Sequence, residues 1–176
     1  MGKKNKRNNN KKKKNKKKEQ KNAYGHVLQH DTQTVSIVTP TQYERLDYLE
    51  ILIQCILQQD YVNILEWIIV DGTQNNEHKL RDGIEQLRTK YPTLPEIVFI
   101  EPQDDSSKNI GVLRNLYNEK CRGDIVVCMD DDDYYPYNRV SHVVSKLKNS
   151  LLEIGGCCNI NIYSVQFQKA YLWKRF

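Results

Sequence analysis

The chain has 176 residues, and its formal charge of +5 conceals two regions of opposite character. Between Lys3 and Lys21 stand 12 basic residues against Glu19 alone, so this tail carries +11 and the remainder −6. A stretch of almost pure Lys and Asn cannot bury apolar surface, which leaves roughly 150 residues for one α/β domain and excludes two substantial ones; the acidic remainder argues against a nucleic-acid surface spread over that domain.

Other classes are excluded by smaller features. No apolar run approaches the ~20 residues that span a bilayer, and the N-terminus lacks the apolar stretch of a signal peptide. Lys6 stands where a myristoylation signal wants Ser or Thr. Five cysteines without a C-x-x-C pair, and without His at zinc-ligand spacing, read as a reduced, cytoplasmic protein. Cys55, Cys121 and Cys128 lie in apolar stretches and read as small hydrophobes. Cys157 and Cys158 are expected in a buried strand. The tail's charge would attract anionic membrane or nucleic acid at low salt, or would stay a solvated low-complexity segment.

After a linker over 23–33, strand and helix signals alternate, which points to βαβ units and a mainly parallel sheet. The first strand is expected over 34–38, closed by Thr39-Pro40-Thr41. A helix follows from about Asp47, with Leu49, Leu52, Ile53, Ile56 and Leu57 as one stripe. The second strand, 65–70, is continuously apolar and reads as covered on both faces. A helix over about 77–91 carries Leu80, Ile84 and Leu87 before Pro92 and Pro95 stop it. The third strand is 96–100. A polar loop over 101–109 leads to a helix marked by Leu113, Leu116, Tyr117 and Cys121 and closed by Gly123. The fourth strand, 124–129, runs into Asp130, Asp131, Asp132 and Asp133. Pro136 suits the first turn of the next helix, whose core face is Val140, Val143, Val144 and Leu147. A fifth strand is expected over about 153–165, with Gly155-Gly156 as a bulge, before an aromatic end at Trp173 and Phe176.

In open parallel sheets ligands bind beyond the carboxyl ends of the strands. There this sequence places Thr41, Asp71 and the four aspartates. Two carboxylates about 4 Å apart repel by roughly 4 kcal/mol at an effective dielectric of 20, so the run calls for a cation unless it is a loop splayed into water, the commoner fate of a charge run. Mg2+ or Mn2+ suits it, because hard divalent ions take carboxylate and phosphate oxygens together. Asp71-Gly72 offers a carboxylate for a nucleobase N–H or a ribose hydroxyl, although Asp-Gly is also a common turn. Arg114, between Leu113 and Leu116, faces an edge or cleft where a guanidinium would meet phosphate or a base carbonyl, although a lone helical Arg is more often simply solvated. A nucleotidyltransferase would want a Gly-rich, basic loop after the first strand, which Pro40-Thr41-Gln42 is not.

Four segments in one order resemble glycosyltransferase family 2: Val35-Ser36-Ile37-Val38-Thr39-Pro40-Thr41, Ile68-Ile69-Val70-Asp71-Gly72, Asn109-Ile110-Gly111 with Arg114-Asn115, and Gly123-Asp124-Ile125 leading through Met129 to the aspartates and Pro136. The tail and the acidic run are similar to members from giant DNA viruses, which would place the protein in host cytoplasm or virion. The resemblance covers about residues 34–165. It implies an α/β GT-A fold, a nucleotide-diphosphate sugar donor, often UDP-linked, a divalent metal, and inverting transfer to a glycan, protein or lipid. By position, Thr41 and Asp71 would hold the nucleobase, Arg114 the base or diphosphate, Asp130 and Asp131 the ribose, and Asp132 of the D-x-D pattern the metal. Asp131 and Asp133 leave that register open by one residue. The loop Gln42-Tyr43-Glu44-Arg45 is one residue longer than the family's pattern, so no role is carried past Thr41 there.

The resemblance also implies an Asp or Glu, well after the acidic run, to activate the acceptor hydroxyl. Only Glu153 follows Asp133, at the expected start of a strand. The expectation is therefore a tail and linker over 1–33 and a donor-binding domain over 34–176 without its acceptor half. The alternative is an inactive donor-binding remnant that binds partners through its polybasic tail.

Overall fold

The computed structural model describes residues 19–74, 79–102, 109–148, 150–157 and 159–174. Four strands build its main sheet: β1 (Val35–Thr41), β2 (Ile64–Asp71), β3 (Glu96–Ile100) and β4 (Ile125–Cys128). They lie in the order β3-β2-β1-β4 and every pairing is parallel. This is the α/β GT-A arrangement. The chain steps outward from β1 through β2 to β3, then returns to add β4 on the other side of β1. That reversal makes the crevice between the carboxyl ends of β1 and β4 the topological switch point.

Among the described residues four helices cover the sheet: α1 (Leu46–Leu57), α2 (Leu80–Lys90), α3 (Ile110–Asn118) and α4 (Arg139–Lys148). Strand geometry sends successive side chains to opposite faces. Accordingly Ile37, Trp67, Ile69 and Val127 join Leu49, Leu52, Ile84 and Val140 from α1, α2 and α4 in one core cluster. Val38, Ile68 and Val70 join Leu113 and Tyr117 of α3 in a second. The unbroken apolar run of β2 is thus explained by cover on both faces. Asn109 caps α3, its side chain accepting from Gly111 N at 2.9 Å.

The amino ends of the strands are tied by Glu66, which is fully buried. It accepts from Ser36 Oγ at 2.6 Å, from Arg122 N at 2.7 Å and from Arg122 Nε at 2.7 Å. Gly123 passes so close to β1 that a Cβ there would lie 2.5 Å from Ser36 N. Its role is close approach, whereas α3 ends at Asn118, before Cys121.

Several expectations need correction. Pro136 does not open α4, which begins at Arg139; the Pro136 carbonyl instead accepts from Gln59 Nε2 at 3.0 Å and from Arg139 N at 3.0 Å. The fifth strand expected over 153–165 is shorter, β5 (Asn159–Ser164), and pairs with an unexpected β6 (Lys169–Lys174) as a hairpin in a two-stranded sheet of its own. Gly155 and Gly156 precede it in a loop, and Cys157 is exposed, not in a buried strand. Glu153 is likewise exposed in that loop. Cys128, though in β4, is also exposed. The expected start of α2 at Glu77, together with Asp104, Asp105, Ser106, Ser107, Cys158 and Phe176, lies outside the described residues. Residues 19–33 are bound to the domain: Asn22 Nδ2 donates to the Gln58 and Gln59 carbonyls at 3.0 and 3.1 Å, and the His26 ring stacks on Tyr137 with centroids 4.0 Å apart.

Candidate functional site

Three strand ends converge at the switch point. Thr41 closes β1 in register with Asp71 of β2, and the acidic run leaves β4 on the other side of β1. The turn after β2 is built by Asp71 itself, whose Oδ1 accepts from Thr73 N at 2.8 Å. Gly72 N then donates to Thr41 O at 2.7 Å, and a Cβ on Gly72 would sit 3.0 Å from Leu113 Cδ1. Glycine is what lets this turn close against β1 and α3.

Beneath the site a buried relay crosses the sheet. Trp67 Nε1 donates to Thr39 Oγ1 at 2.9 Å, and Thr39 Oγ1 donates to Met129 O at 2.7 Å. Every polar atom in that chain is satisfied inside the core, which fixes β4 against β1 where the aspartates begin.

The four aspartates part company as they leave the strand. Asp131 turns inward and is 3 % exposed. Its Oδ2 accepts from Thr41 Oγ1 at 2.6 Å, and its Oδ1 lies 3.2 Å from Arg45 Nη1. Burial pushes this carboxyl above the ordinary aspartate range, and the Thr41 hydroxyl and Arg45 pull it back only in part. Asp132 is half exposed and pairs with Arg45 Nη2 at 2.6 Å. Asp130 pairs with Arg114 Nη2 at 3.5 Å, yet its Oδ1 is buried with no hydrogen-bond partner. Tyr135 steadies the loop by accepting from Asp130 N at 2.6 Å and donating to Asp133 Oδ2 at 3.5 Å.

The sequence-predicted residues Thr41, Asp130, Asp131, Asp132 and Arg114 are therefore brought to one place, with Asp71 next to Thr41 across β1–β2. Arg45 is the residue that sequence reasoning missed. It sits at the end of a short 3-10 turn (Tyr43–Arg45) after β1, and its guanidinium carbon lies 5.4 Å from the centroid of the Tyr48 ring. The signal was present, since a run of four carboxylates needs positive charge, but only the fold carries Arg45 across to β4.

A divalent ion fits this donor set in a limited way. Two guanidiniums face four carboxylates, which leaves two negative charges, and Asp130 Oδ1 is an oxygen acceptor without a donor. Among the described residues, however, no group of three His, Cys, Asp or Glu side chains converges as a metal cage. One or two carboxylates plus substrate phosphate oxygens is the coordination that Mg2+ commonly takes.

An all-parallel sheet with an acidic run leaving the carboxyl end of β4 defines an open α/β fold whose ligand site is expected at the switch point. The chain belongs to glycosyl transferase family 2, whose family model matches residues 36–174. Among solved structures it is similar to the mannosyltransferase PcManGT from Pyrobaculum calidifontis in complex with GDP-Man and Mn2+, with TM-score 0.55 and 20% identity over 68% of this chain and 33% of that one. It is similar also to S. aureus TarS 1-349 in complex with UDP, with TM-score 0.51 and 20% identity over 65% of this chain and 32% of that one. S. aureus TarS itself gives TM-score 0.51 and 20% identity over 65% of this chain and 19% of that one. The chain thus spans a third or less of the length of these proteins, and at this identity the likeness speaks for the fold. A search of curated protein sequences finds no match. No helix among the described residues is long and apolar enough to cross a membrane.

Proposed function

We propose that the chain binds a nucleotide-diphosphate sugar, UDP-linked in the first instance, at the β1–β4 crevice, as the donor side of a metal-assisted inverting glycosyltransferase. The supporting observation is the inward lock of Asp131 onto Thr41 and Arg45. In this reading Asp131 supports the site, and Asp130 and Asp132 form the ligand-facing pair of a D-x-D pattern. Asp71 then meets the base beside the Thr41 end of β1, Arg114 the base or diphosphate, Asp130 the ribose, and Asp132 an Mn2+ or Mg2+ ion. Asp131 acts as the support of the site in place of the ribose contact its position implied. When bound, such an ion would supply positive charge to the diphosphate leaving group. The chain's own residues orient the donor and keep the carboxylates at the crevice. The acceptor, whether glycan, protein or lipid, would receive the sugar from the solvent side.

Calorimetry with UDP-sugar in the presence and absence of Mn2+ tests this reading. Binding that requires the ion and is lost in Asp132→Ala is the expected result. Equal binding by the wild type and Asp132→Ala, or none by either, overturns it. Donor binding with neither hydrolysis nor transfer would identify the chain as a donor-binding remnant.

A further inference from the structure

Four consecutive carboxylates at one strand end should repel one another, yet Asp131 is buried directly beside Asp132. Arg45 supplies the reason. One nitrogen of its guanidinium meets buried Asp131 at 3.2 Å and the other meets half-exposed Asp132 at 2.6 Å. The fork geometry of guanidinium suits two separate carboxylates, which a lysine ammonium cannot bridge in the same way. The two contacts are not equivalent. Asp131 has no route to water and its second oxygen is held by Thr41, whereas Asp132 is reachable from solvent, the side from which a cation and a diphosphate would arrive.

We propose that Arg45 is the resident counter-ion of the acidic run, holding Asp131 permanently and Asp132 only until a divalent cation arrives together with a nucleoside diphosphate. This builds on the donor-binding reading above. Its consequence is that the free ion competes poorly with a guanidinium already in contact with Asp132. The ion gains enough to displace it only when phosphate oxygens complete its coordination and receive the freed charge of Arg45. Metal and nucleotide then bind as a coupled pair and the metal alone binds weakly.

The test uses the full chain with Mn2+ alone, UDP alone, and both, followed by calorimetry and by the paramagnetic resonance signal of free Mn2+. Wild type should bind Mn2+ weakly by itself and show coupling with UDP of about tenfold or more. Arg45→Gln should raise affinity for Mn2+ alone by about tenfold and shrink the coupling toward unity. Arg45→Lys, which keeps the charge but not the fork, should fall between them. Should Arg45→Gln fail to fold because Asp131 is left unpaired, Arg45→Gln with Asp131→Asn removes both charges and should show the same gain for Mn2+. Unchanged or weaker binding of Mn2+ alone in the folded variants overturns the counter-ion role. If wild type binds no UDP even with Mn2+, the donor-binding reading fails instead. If wild type binds the pair cooperatively and the variants do so equally, only the role of Arg45 fails.

Discussion

Asp131 shows how a single side chain can change meaning between sequence and structure. Read along the chain it is one of four equivalent carboxylates. In the fold it is the only one of the four that is buried, turned onto Thr41 at the end of β1 and onto Arg45. Its cost of burial is offset by one hydroxyl and one guanidinium. Thr41→Val, of nearly equal shape, removes the hydroxyl and should cost about 1–3 kcal/mol in urea unfolding. An unchanged midpoint would show that Thr41 does not support Asp131. Thr41, Asp71, Arg114 and the acidic run were legible because each stands at a strand end or beside a helix stripe. Arg45 was not, because its partners lie more than 80 positions away and nothing in a loop's composition tells which strand it will reach.

At the scale of elements, hydrophobic periodicity located β1 to β4 and the faces of α1 and α3, since these pack in one sheet and report its pleat directly. After α4 the strand expected over 153–165 contains β5, but β6 was missed because the turn at 165–168 holds no Gly, Pro, Asn or Asp to mark it. Gln168 at φ 49° ends the turn that divides β5 from β6. Nearly every side chain of that hairpin is exposed, including Trp173 at 62 % and Phe167 at 62 %. An isolated two-stranded hairpin is marginal in water. Amide exchange in β5 and β6 of the 176-residue chain should therefore be far faster than in β1 and β2, and equal protection would contradict the packing described here. At the opposite end of the sheet, burial would raise Glu66, but hydrogen bonds from Ser36 and Arg122 outweigh it and hold the carboxyl below the usual glutamate value of 4.5. The unfolded chain then binds the proton first as pH falls, so stability present above that value is lost progressively below it. Denaturant midpoints from pH 6 downward should show this slope, and Glu66→Gln should flatten it. Arg122→Ala at neutral pH should lower the denaturant midpoint, because it leaves the buried carboxylate with Ser36 as its remaining side-chain partner.

For the whole molecule, the charge division matters most. Residues 1–18 hold 11 basic side chains and no acidic one, whereas Asn22 and His26 are bound to the domain. Deleting 1–18 should leave the thermal midpoint unchanged and remove salt-sensitive binding to heparin or anionic vesicles. Persisting salt-sensitive binding would place it on the domain. A deletion carried on through Asn22 should instead lower the midpoint, since it severs the bonds to Gln58 and Gln59. Sequence alone determined the class of sheet, the order of its elements and the position of the acidic run, because these follow from local periodicity and from Pro, Gly and Asp at strand ends. Tertiary structure alone decided which aspartate turns inward, which arginine meets it and how far the domain extends toward the N-terminus. Those depend on contacts between residues distant in the chain, where a small difference in burial or reach selects one partner among several of identical chemistry.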